Sequence, residues 1–164
     1  MLRRSTILVL VVGSLFVPAL ALATGGISGY GAHGGFSSGP SQVVLGGQFS
    51  IADAAPRLDF VPGLDLGFGD NQTIVSVNGD FHYRFDIGRV TWQPYAGAGV
   101  AIHFVSIDVA GPYEDRTQTL GGGDFILGVQ APSAHGGEFF GEAKFGFGDG
   151  PDFKLLAGMH FTGR

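Results

Sequence analysis

The sequence contains no cysteine, which excludes a disulfide scaffold and thiolate chemistry. Charged residues are scarce, at 14%, and lysines and arginines form no stripe, which excludes the basic footprint of a nucleic-acid-binding protein. After Ala23 no long unbroken apolar run remains. A crossing helix is therefore excluded there, and any membrane contact must come from alternating strands. Helical periodicity is almost absent as well. Glycine and phenylalanine, in contrast, are abundant, with 30 and 15 copies.

The first residues have a different character. Met1-Leu2-Arg3-Arg4 precedes an apolar run from Ile7 to Ala23, which ends Ala21-Leu22-Ala23. A basic start, an apolar middle and an A-x-A site make a cleavable secretory signal peptide. The run is short for a span, and Gly13 and Pro18 interrupt it. The division expected is a signal peptide over 1–23 and one domain over 24–164. Removing Arg3 and Arg4 takes the formal charge from −5 to −7.

The clearest pattern lies between Thr73 and Asp108. Val75, Val77, Gly79, Phe81, Tyr83 and Phe85 fall on one face of a period-two strand. Ser76, Asn78, Asp80, His82, Arg84 and Asp86 fall on the other. The same alternation recurs along the mature chain, and predicts eight strands near 26–37, 43–52, 58–69, 73–86, 92–108, 117–131, 138–148 and 152–162. Turn signals separate them, such as Ser38-Gly39-Pro40 and Gly148-Asp149-Gly150-Pro151. Pro62 cannot donate to a ladder, so a bulge or a gap in pairing is expected beside it. Aromatics gather toward strand ends at Tyr30, Phe36, Phe68, Trp92, Phe147 and Phe153, as interfacial girdles do. An even number of strands, each about ten residues long, suits a closed eight-stranded antiparallel up-and-down transmembrane β-barrel of the all-β class.

Candidate chemistry is thin. Gly29-Tyr30-Gly31-Ala32-His33-Gly34 matches G-x-G-x-x-G, but no helix follows it, so no dinucleotide site is assigned. Asn71-Gln72-Thr73 is a glycosylation sequon. The histidines are at 33, 82, 103, 135 and 160; no spacing among them defines a metal site, and no metal or cofactor is expected. Ser76, Asp80 and His82 share one face, yet at about 3.3 Å per residue Ser76 and His82 lie roughly 20 Å apart. That is too far for hydroxyl activation. No catalytic residue is assigned.

The stretch Gln93-Pro94-Tyr95-Ala96-Gly97-Ala98-Gly99-Val100 resembles the PY-x-G-x-G-hydrophobic strand of small bacterial outer-membrane barrels, such as the OmpA-type membrane domain, OmpX and OmpW. Phe140-Gly141-Glu142-Ala143-Lys144 and Leu156-Ala157-Gly158-Met159-His160-Phe161 resemble that family's last two strands. The resemblance implies an outer-membrane location and a non-enzymatic role in envelope structure or minor transport. It implies outer-membrane lipid and the barrel-assembly machinery as partners, and a monomer. The connections near 38–42, 70–72, 109–116 and 149–151 are short, which argues against an adhesin built on long loops. Two other readings stand beside this one. One is a secreted soluble lipocalin-like barrel with an apolar ligand. The other is an outer-membrane lipid-modifying hydrolase.

In the transmembrane phase the inward face carries a polar network of Asp65, Asp80, His82, Arg84, His103, Asp124, Glu142, Lys144, Lys154 and His160. Buried charges are costly unless paired. Acids on one strand are therefore expected to meet Arg84, Lys144 or Lys154 on neighbouring strands. Inward glycines at 63, 67, 97, 99, 122, 146 and 158 leave room for the longer side chains.

Overall fold

A computed structural model describes residues 26–69, 71–88, 90–107, 116–134 and 136–162. The leader expected over 1–23 and His135 lie outside them. The strands are β1 (Ile27–Ser38), β2 (Gln42–Ala55), β3 (Leu58–Gly69), β4 (Gln72–Arg84), β5 (Gln93–Ile107), β6 (Arg116–Pro132), β7 (Glu138–Gly148) and β8 (Phe153–Thr162). Each pairs antiparallel with the next, and β1 pairs with β8, so the sheet closes in the order β1-β2-β3-β4-β5-β6-β7-β8. Closure leaves no open edge. The eight strands fall within a few residues of their expected bounds, because a period-two pattern bounded by Gly and Pro turns is a local signal.

The phase is also as expected. Along β4, Ser76, Asn78, Asp80 and His82 are buried, while Phe81 and Tyr83 are exposed. The outer surface is an apolar wall, with Val100 at 70% exposure, Phe36 at 66% and Phe125 at 62%. Aromatic rings meet across it: Tyr30 stacks on Phe161 with centroids 5.5 Å apart, and Phe60 lies 5.0 Å from Phe81. Both pairs are direct cross-strand partners, the arrangement in which side chains of a sheet interact best.

Two local departures have a backbone cause. Pro62 pairs in register with Gly79 of β4, but the ladder to β2 has a gap opposite it, between Gln48↔Gly63 and Ile51↔Phe60. Its missing N–H accounts for the gap. Ile51 has outward parity yet is only 1% exposed. The ladders on both sides of β2 shift register beside it, at Ile27/Gly29 and at Ile51/Ala55, and such bulges re-aim side chains.

Candidate functional site in the barrel lumen

The inward face is a checkerboard of long side chains and glycines. Gly46 sits in register between His33 and Asp65. Gly99 sits between Asp80 and Asp124, and Gly128 between Tyr95 and Glu142. Gly31 sits between Gln48 and His160. A β-carbon on Gly46 would collide with the His33 ring and the Asp65 carboxylate; one on Gly99 would meet the Asp80 carboxylate, and one on Gly128 the Tyr95 ring. The long side chains therefore lie over the glycine beside them and extend across the barrel.

Their partners follow from that direction. Lys144 of β7 donates to Asp80 of β4, and also lies 3.4 Å from Glu142 on its own strand. Lys154 of β8 donates to Asp65 of β3 at 3.3 Å. The His33 ring is 2.9 Å from the other oxygen of Asp65. The Tyr95 hydroxyl donates to Glu142 at 2.8 Å, and His82 Nε2 lies 3.7 Å from the same carboxylate oxygen. Lys144 and Lys154 face each other directly in the β7–β8 ladder. Like charges so placed repel, and each ammonium turns to a different acid.

The expectation that acids meet bases on neighbouring strands holds for Arg84 of β4 and Asp59 of β3, 2.9 Å apart, and is corrected for the two lysines. Asp80–Lys144 and Asp65–Lys154 join strands three positions apart and bridge the lumen. Adjacent inward positions are only about 5 Å apart, too close for two extended chains to meet end to end. Arg84 also differs from the lysines. It lies at the rim, 2.7 Å from Asp53 and 2.9 Å from Asp59, with its side chain 25% exposed.

Asp65, Asp80, His82, Glu142, Lys144 and Lys154 thus come together in the lumen. Asp124 is buried between Gly99 and Gly146, with no hydrogen bond or ion pair among the described residues. His160 bonds Gln48 rather than an acid, and the Phe140 ring packs on it at 4.6 Å. His103 bonds Ser76 Oγ at 2.8 Å. Sequence reasoning omitted His33, Tyr95, Gln48 and Phe140 from the network. The parity of each strand gave the only available signal, and it marks facing without marking partners.

No family model matches the sequence, and no curated protein matches it. Solved structures do. Neisserial surface protein A superposes with a TM-score of 0.64 at 16% identity, over 83% of this chain and 94% of that one. The N-terminal β-barrel domain of Pseudomonas aeruginosa OprF superposes with a TM-score of 0.65 at 13% identity, over 82% and 96%. Both are eight-stranded outer-membrane barrels. The chain has the fold of the small outer-membrane β-barrels.

Within this barrel the chemistry of the lumen is restricted. Among the described residues no group of three or more histidines and carboxylates is arranged to hold a metal ion. The Ser76–His103 pair has the separation of a nucleophile and its base, across strands β4 and β5. Both residues are buried, and among the described residues no carboxylate is hydrogen-bonded to the ring. The pair ties two strands together.

Proposed function

We propose that the protein is a bacterial outer-membrane barrel with a structural role in the envelope, its lumen closed by the cross-lumen ion pairs. One observation carries the reading: the same strands present an apolar wall outward and the buried pairs Lys144–Asp80 and Lys154–Asp65 inward. An outer surface studded with Val100, Phe125 and Leu127 suits acyl chains, and is the reverse of what a water-soluble barrel needs. A lipocalin-like pocket would need apolar residues inside, where this barrel keeps its carboxylates and ammonium groups. An eight-stranded barrel has an interior just wide enough for side chains to fill, which favours a plug over a pore.

The test is location followed by conductance. The mature protein should remain in the outer-membrane fraction through washes with high salt and alkali. The purified barrel should give little steady current in a planar bilayer. Recovery from the periplasm without detergent would refute the membrane reading. A large, stable, ion-selective current would turn the protein into a channel.

A further inference from the structure

The two ends of the lumen are built differently. At the rim where β1 begins and β8 ends, the lumen widens into a polar cavity of about 200 Å³. Arg84, Gln93, Glu138 and His160 are among its lining residues. Toward the opposite end an apolar row runs along the inner wall. Val44, Gly67, Ile74 and Val105 are direct ladder partners from β2 to β5. Val44 is 3% exposed, and Ile74 and Val105 are each 5% exposed. We propose that this row, together with the β7–β8 turn, is a closed hydrophobic gate, so that the lumen exchanges water only through the mouth beside the termini.

Strand position sets which end the row guards. Val44 and Ile74 are the third residues of β2 and β4, and Val105 is the third from the end of β5. All three therefore lie away from the termini. Just beyond the row, the Gln42 side-chain amide donates to the Gln72 carbonyl at 3.3 Å and ties β2 to β4. On the side of the barrel facing β3 and β4, the turn between β7 and β8 folds inward. Its Pro151 is buried, and a β-carbon on Gly150 would collide with the His103 ring. His103 stands one row inside Val105, in register with Ser76 and Asp65. The ion pairs begin at that row, where Asp65 holds Lys154.

A packed apolar layer keeps water out because it offers no hydrogen bonds in exchange for those water gives up. Ions face a larger barrier, since a charge there would lose its hydration without gaining a partner. Apolar constrictions close pores on this principle. Ion pairs work differently, because carboxylates and ammonium groups attract water even as they fill space. The mouth beside the termini is then a blind vestibule, which solutes of the compartment it faces enter without passing through. The gate rests on the closed-lumen reading above and adds a second barrier in series with the ion pairs.

The test is exchange of the imidazole N–H protons with water, read by nitrogen-edited NMR on the full-length mature barrel in a non-ionic detergent. His160 lines the open mouth, and His103 lies behind the gate. Both rings are hydrogen-bonded, to Gln48 and to Ser76, so a difference in rate reports access to water. His103 should exchange at least tenfold more slowly than His160. Equal rates would overturn the proposal, and that comparison needs no variant. Val105→Ser should then speed exchange at His103 at least tenfold and leave His160 within about twofold, with the gel mobility of the folded barrel unchanged. An unchanged His103 rate would show that the apolar row does not hold water back, and would overturn the gate. So would an equal rise at both rings, the mark of a barrel loosened throughout. Detergent replaces the membrane here, so a failed gate leaves the outer-membrane reading standing, and planar-bilayer conductance still tests the plug by itself.

Discussion

The outer and inner walls of the barrel are built on the same strands but obey different rules. Outside, Val100, Phe125 and Leu127 need only be apolar, and each tolerates many neighbours. Inside, Asp80 needs Lys144, Lys144 needs Asp80 and Glu142, and Asp80 needs Gly99 to leave space. The outer wall is specified residue by residue. The inner wall is specified by sets of residues far apart in sequence. Mutations should therefore act on the two walls through different physics.

The largest effect is expected from Lys144→Ala. It leaves Asp80 and Glu142 in the lumen without their cation, and removing one partner of a buried pair costs about 3–5 kcal/mol. Urea unfolding in lipid vesicles measures it, and an unchanged midpoint would show that the pair contributes nothing to the inner wall. Next comes Val100→Arg, at the middle of β5. A charge facing lipid at mid-membrane costs about 2–4 kcal/mol, whereas the rim substitution Ile87→Arg should cost about 0–1 kcal/mol. Equal folding yields for the two in vesicles would refute the membrane-facing assignment.

A third comparison uses the same substitution on each wall. Gly99→Ala forces a β-carbon onto the Asp80 carboxylate, and overpacking costs about 1–3 kcal/mol. Gly141 on the outer wall has open space at that position, so Gly141→Ala should stay within about 0.5 kcal/mol of the parent. Similar losses for both would remove the distinction between the walls. The smallest effect is expected at the rim. Arg84→Ala breaks pairs with Asp53 and Asp59 that water reaches, worth about 0.2–1 kcal/mol. The difference should shrink further in high salt, since screening acts on accessible charges.

These walls also explain what was legible. The alternation Val75 to Phe85 was enough to assign facing, because a strand has a fixed period and lipid-facing or lumen-facing residues differ in polarity. The inward glycines were recognisable as space. Which chain filled that space was not, because Asp65 and Lys154 are separated by 89 residues and by three strand positions around the barrel. Tyr95 lay at an inward position of β5, yet nothing local showed that its hydroxyl would meet Glu142. Asp53 occupies the end of β2 beside a turn, and only the arrival of β4 next to β3 brings Arg84 to it.

The sequence by itself determined the number of strands, their approximate limits and which side chains face each way. Those properties depend on backbone period and local turn chemistry, which neighbouring residues carry. The tertiary structure alone decided the partners: the shear of the closed barrel sets which inward residues share a level, and a glycine beside Asp65, Asp80 and Glu142 leaves room for their partners to reach across the lumen. Pairing across a closed sheet is a property of the circuit, so no stretch of chain contains it.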